Sequence, residues 1–76
     1  MMVELVKYIA QSLVENPDAI DVREVENPDS ITIELRVAPE DMGKVIGKQG
    51  RIAKAIRTVI RAATPRDAKQ VFVEII

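Results

Sequence analysis

Apolar residues recur at helical spacing at the start of the chain. Val3, Val6, Ile9, Ala10, Leu13 and Val14 fall on one side of a helix predicted from about Val3 to Glu15, with Glu4, Lys7, Gln11 and Glu15 on the other. Asn16-Pro17 stops it, because the residue before a proline is pushed out of the α region. The period then changes to two. Ile20 and Val22 alternate with Asp21 and Arg23, and Val25 breaks the parity, which predicts a bulge. Ile31, Ile33, Leu35 and Val37 alternate strictly with Thr32, Glu34, Arg36 and Ala38, as a half-buried strand requires. Between the two runs, Asn27-Pro28-Asp29-Ser30 carries strong turn chemistry and predicts a hairpin.

Helical spacing returns in the second half. Pro39-Glu40-Asp41 opens a short helix, its proline suited to the first turn and its two acids to the positive end of the helix dipole. Met42, Val45 and Ile46 supply the buried side, and Gly47 ends it. A longer helix follows from about Arg51 to Ala63. Ile52, Ile56, Val59, Ile60 and Ala63 share one arc of roughly 100°, and Arg51, Lys54, Arg57 and Arg61 take the opposite arc. Thr64-Pro65 terminates it. The run from Val71 to Ile76 is a last strand, with Val71, Val73 and Ile75 on one face and Phe72, Glu74 and Ile76 on the other. The order is α-β-β-α-α-β. A right-handed crossover through two helices makes the last two strands parallel, while the hairpin makes the first two antiparallel. The expected fold is α+β, a three-stranded mixed sheet with three helices on one face.

A chain of 76 residues has room for one domain, and one this short often gains from a partner. Its apolar runs fall far short of the ~20 residues that cross a bilayer, and Met1-Met2-Val3-Glu4-Leu5 is not a basic region leading into an apolar one. A cytoplasmic location is expected. Cysteine and histidine are both absent, which removes disulfides, thiolate nucleophiles, the common zinc sites and the usual general base. Ser12 and Ser30 have no evident activating partner. No enzyme activity, cofactor or metal is expected.

The net charge of −1 hides a division of the chain. From Met42 to Arg66 the ionisable residues are Lys44, Lys48, Arg51, Lys54, Arg57, Arg61 and Arg66, seven cations and no acid. The remainder carries four basic residues and all 12 acidic ones. A basic segment in an otherwise acidic chain is a footprint for an anionic partner.

The basic segment contains Gly47-Lys48-Gln49-Gly50, a very tight link between two helices. Gly47 is suited to a left-handed helix stop, and Gly50 offers no side chain where the next helix begins, so a second backbone can approach. The first N–H groups of that helix lack intrahelical partners and favour an anion. Lys48 and Gln49 project from the tip, with Lys44 and Arg51 beside them. The nucleotide-hydrolase P-loop fails on spacing: three residues separate Gly43 from Gly47, and Gln49 follows Lys48.

The run Val45-Ile46-Gly47-Lys48-Gln49-Gly50-Arg51-Ile52-Ala53-Lys54-Ala55-Ile56 resembles the KH domain family. A bare GxxG is weak evidence; the flanking isoleucines and basic turns make the resemblance specific. The element order is similar to the type II, bacterial-style KH arrangement and takes in residues 1–76 as a single KH domain. With Ala38-Pro39-Glu40-Asp41-Met42-Gly43 before the turn, the chain resembles the small stand-alone bacterial proteins of the KhpA (YlqC-like) family.

The resemblance implies single-stranded RNA as ligand, about four nucleotides held with the GxxG loop on their backbone. It implies contacts from Lys44, Ile46, Gly47, Lys48, Gln49, Gly50, Arg51, Lys54 and Arg66. It places Val45, Ile46, Ile52 and Ala53 on an apolar groove wall, with Val71–Ile76 and the loop Thr64–Lys69 opposite, where Arg66 and Lys69 reach phosphates or base edges. Ile56 reads as core first, and Arg57 and Arg61 as a solvated face some way from the loop. With one tyrosine, one phenylalanine and no tryptophan, base stacking is scarcely available, so weak binding with slight sequence preference is expected. The family also implies a homodimer or a heterodimer with a KH protein of the KhpB (Jag) type, and a role as RNA chaperone or post-transcriptional regulator. The rival from another class is a protein–protein adaptor that keeps the fold without needing RNA, helped by exposed apolar residues such as Val3, Leu5 and Ile76. A third is an accessory domain of a larger ribosome-associated machine.

Overall fold

Each period in the sequence becomes an element where its apolar stripe finds a neighbour. The computed structural model describes residues 2–76 and contains α1 (Met2–Leu13), β1 (Asp21–Glu26), β2 (Ser30–Arg36), α2 (Met42–Ile46), α3 (Arg51–Ala63) and β3 (Gln70–Ile75), with short 3-10 turns at Pro17–Ala19, Pro39–Asp41 and Lys48–Gly50. The sheet order is β1-β2-β3. β2 is central, antiparallel to β1 and parallel to β3. α1 lies over β1 and β2, α3 lies along β3, and α2 packs on α3 and α1. No described helix is long and apolar enough to cross a membrane.

The core forms where the stripes meet. Val6 and Ala10 of α1, Ile33, Leu35 and Val37 of β2 and its extension, Val45 of α2, Ile56 and Ile60 of α3 and Val73 of β3 are all buried. Cross-strand register puts Val22, Leu35 and Ile75 in one row beneath the helices. The opposite face of the sheet is open and carries the rows Val25–Thr32–Phe72 and Arg23–Glu34–Glu74.

Three expectations need correction. β1 has no bulge: pairing is continuous from Asp21↔Arg36 to Glu26↔Ile31, and Val25 simply faces the open side beside Thr32. α3 is rotated. Its buried residues are Ala53, Ile56 and Ile60, whereas Val59 and Ala63 are exposed. At about 100° per residue that shifts the buried stripe by roughly 60° toward the arginines. The helix must pack on β3 as well as on α1 and α2, and this brings Arg57 to the β3 seam. Finally, Asp41 does not act from solvent on a helix end. It is fully buried and accepts hydrogen bonds from the backbone N–H groups of Glu15 (3.3 Å) and Asn16 (3.0 Å) and from Asn16 Nδ2 (3.1 Å). This clasp satisfies the chain leaving α1 and anchors the entry to α2.

Candidate nucleic-acid interface

The turn between α2 and α3 owes its shape to three consecutive demands on the backbone. Gly47 stops α2, its N–H donating to the Gly43 carbonyl at 2.9 Å. Its φ of 78° and ψ of 172° lie in a region essentially open only to glycine, not in the left-handed helical stop expected from sequence. Gln49 and Gly50 then both take left-handed conformations, with φ of 60° and 73°. The Gly50 N–H donates to the Gly47 carbonyl at 3.1 Å and closes the turn. A Cβ on Gly47 would meet Ile52, whereas one on Gly50 would meet nothing within 4 Å. Gly47 therefore closes the turn against α3, and Gly50 leaves its outer side open to a second molecule. Lys48 and Gln49 are exposed at the tip, and Arg51 Nη2 donates to Gln49 Oε1 at 3.4 Å.

The turn abuts the first turn of α3, which presents the positive end of a helix dipole. From there a cationic stripe runs down the helix. Lys54, Arg57 and Arg61 are spaced to stack along one side. Arg57 Nε donates to the Val73 carbonyl at 3.3 Å, on the edge of β3 that faces away from β2. Arg61 lines the hollow where α3, the 64–69 loop and β3 meet. Arg57 and Arg61 are thus at the α3–β3 seam, not on a remote solvated face. Sequence periodicity misplaced them because the buried arc was centred too far toward Val59. The paired β-run at 71–75 was the available hint that a second element flanks this side of the helix.

The other candidates divide. Ile46 is 36% exposed and Ile52 half-buried, so both offer apolar surface beside the turn. Val45 and Ala53 do not, being buried in the core. Arg66 stands at the far end of the seam, in the loop wall of the hollow. Lys44 points to acids: its Nζ lies 3.1 Å from Glu15 Oε1 and 3.4 Å from Asp41 Oδ1. The hydrogen bond to Glu15 does most to raise its pKa, against the opposing effect of partial burial. Lys69 is likewise held, 2.7 Å from Glu26 Oε2 and 3.1 Å from the Asn27 carbonyl, and its hydrogen bond pulls the Glu26 pKa down. Of the seven cations between Met42 and Arg66, only Lys44 has an acidic partner among the described residues. The other six are available to an external anion. No metal-binding cluster occurs among the described residues.

Comparison with known proteins agrees with this arrangement. Residues 3–75 match the family model described as KhpA/KhpB, KH domain. The chain is 65% identical over 75 residues to the RNA-binding protein KhpA of Caldanaerobacter subterraneus subsp. tengcongensis, covering 99% of this chain and 100% of that one. It is 47% identical over 73 residues to RNA-binding protein KhpA of Aquifex aeolicus, covering 96% and 92%. Among solved structures it resembles part of Era in complex with MgGDPNP and nucleotides 1506–1542 of 16S ribosomal RNA, with a TM-score of 0.63 and 25% identity over 99% of this chain but 30% of that one. A variant of Aquifex aeolicus Era bound to GDP.AlF4- matches similarly, at TM-score 0.66 and 27% identity over 97% of this chain and 29% of the other. The turn geometry, the α+β topology and the full-length matches converge: the chain belongs to the KhpA/KhpB KH-domain family.

Proposed function

We propose that this protein binds single-stranded RNA, gripping the sugar–phosphate backbone with the Gly47–Gly50 turn and passing the strand along the α3–β3 seam. The observation that carries this is the union of two features at one place. A backbone shape that only glycines permit opens toward solvent at Gly50, and six cations without acidic partners among the described residues run from it. Relatives of the same length carry the name RNA-binding protein. Lys48, Gln49, Gly50 and Arg51 hold the phosphates at the tip, Lys54 continues the contact down α3, and Ile46 with Ile52 supplies apolar surface for a base. Gly47 acts by shaping the turn. Arg66 meets the strand at the far end. Lys44 contributes least, since its charge is shared with Glu15 and Asp41.

The grip is on the backbone, so sequence preference is slight and affinity modest until a second module adds avidity. The protein acts in the cytoplasm as an RNA chaperone or post-transcriptional regulator, as one single-domain subunit of a homodimer or of a pair with a KhpB-type KH protein. The adaptor reading draws on the half-exposed Val25, Phe72 and Ile76 of the sheet. Crosslinking in cells followed by sequencing of bound RNA separates the two. RNA recovered with the wild type and lost with Lys48→Asp/Gln49→Asp supports RNA binding. Partner capture that survives nuclease and high salt, with no RNA recovered, supports the adaptor.

A further inference from the structure

At the end of the α3–β3 seam farthest from the turn lies a hollow of about 380 Å³, within the range of small-molecule pockets of about 300–1,000 Å³. Its wall includes Arg61, Thr64, Arg66, Lys69 and Phe72, and no carboxylate lines it. Arg61 and Arg66 have no acidic partner among the described residues, whereas Lys69 is fixed by Glu26 and the Asn27 carbonyl and serves as a rigid part of the wall. Phe72, the only phenylalanine of the chain, is 47% exposed here. An aromatic face was not expected to be available from composition, yet one stands open among cations. Strand alternation also turns the backbone N–H and C=O of Val71 away from β2, on the same outward side as the Val73 carbonyl. The hollow thus offers a ring face, two unpartnered guanidiniums and an unpaired backbone donor and acceptor. A nucleotide has the matching parts: a flat base with polar edges, joined to a phosphate.

We infer that this hollow is a separate nucleotide subsite, taking a base against Phe72 and the adjoining phosphate on Arg61 and Arg66. The inference rests on the RNA reading and extends it. The subsite is set apart from the turn. Ten residues of α3 separate Arg51 from Arg61, about 15 Å of helix, and the Arg57–Val73 bridge crosses the seam between them. It therefore receives a nucleotide beyond the stretch gripped by the turn, which makes affinity depend on RNA length at this one position.

Two measurements test it. In the first, a tetranucleotide and a heptanucleotide of the same composition are titrated against the wild type and Phe72→Leu, which keeps apolar bulk on the strand but removes the ring. The longer RNA binds wild type at least about fivefold more tightly, and Phe72→Leu loses that increment while keeping its tetranucleotide affinity. An increment that persists unchanged in Phe72→Leu overturns the proposal. In the second, adenosine monophosphate is titrated into labelled protein and followed by amide chemical shifts, in the wild type and in Lys48→Asp/Gln49→Asp. Shifts at Arg61, Arg66, Val71 and Phe72 in both proteins support a nucleotide site independent of the turn. No shift there, or the same shifts produced by hexaglutamate and not by the nucleotide, overturns it. If the double aspartate variant keeps full tetranucleotide affinity, the grip by the turn fails while the monophosphate titration still decides the hollow.

Discussion

Gly47 lies directly against Ile52: a Cβ on Gly47 would sit 2.6 Å from Ile52 Cγ1 and 2.9 Å from the Ile52 backbone nitrogen. The residue that ends α2 is thus packed on the first turn of α3, and the bend between them has one shape. Gly50, three residues on, has the same sign of φ but open space around it. Gly47→Ala consequently meets both backbone strain and a clash, and destabilises by roughly 2–4 kcal/mol. Gly50→Ala meets only the left-handed backbone and costs about 1 kcal/mol. Urea denaturation of the two variants checks the order; equal losses would contradict the packing of Gly47 on Ile52.

The rotation of α3 gives a second expectation. Ile60 is fully buried, and its neighbour Val59 is 46% exposed. Ile60→Ala destabilises by about 2–5 kcal/mol, while Val59→Ala stays within about 0.5 kcal/mol of the wild type. A large loss at Val59 would restore the arc that sequence periodicity alone suggests.

The Asp41 clasp sets a pH dependence. Burial pushes the Asp41 pKa up, but hydrogen bonds from the Asn16 side chain, the Glu15 and Asn16 backbones and Lys44 outweigh it and bring the pKa below its ordinary 3.8. A depressed folded-state pKa means that the stabilisation is complete above the ordinary value. It is lost as pH falls through the lower folded-state pKa, because the unfolded chain takes up the proton first. Asp41→Asn is therefore clearly less stable than wild type at neutral pH, and the gap narrows in strong acid. Denaturation midpoints for both proteins at the two extremes decide this, and a gap independent of pH would rule out the charged clasp.

Lys44 and Lys48 are close in sequence but differ in circumstance. Lys44 is bound by Glu15 and Asp41; Lys48 stands free at the tip. Lys48→Gln makes the slope of log K for RNA against log salt shallower by about 0.7, one phosphate contact. Lys44→Gln leaves that slope nearly unchanged. The opposite ranking would show that RNA draws Lys44 away from its acids.

Much of this was legible from residue pattern. Strict alternation from Ile31 to Val37 located the central strand and its buried face, and Asn27-Pro28-Asp29-Ser30 located the hairpin. Gly47 and Gly50 marked the turn because few other residues tolerate a positive φ. What escaped was set by tertiary neighbours. Asp41 looked like a helix-start acid until the end of α1 was seen to need a buried acceptor 25 residues away from Asn16. The facing of Arg57 and Arg61 depended on a helix rotation that an arc of apolar residues defines only loosely. Val45 and Ala53 border the turn in sequence but face inward, because α2 and α3 must cover the core before they can line a groove.

The grip of the turn on RNA is tested most directly by titrating a fluorescent single-stranded RNA against the wild type and Lys48→Asp/Gln49→Asp, with the fold of each checked by circular dichroism. Both side chains are exposed, and aspartate tolerates the left-handed backbone of position 49, so the variant keeps its structure. Wild-type binding weakens with salt at a slope of about −1.4 to −2.1, as two or three phosphate contacts require, and the folded variant shows no binding at matched concentrations. Undiminished RNA affinity in a folded double aspartate variant would contradict a backbone grip at Gly47–Gly50.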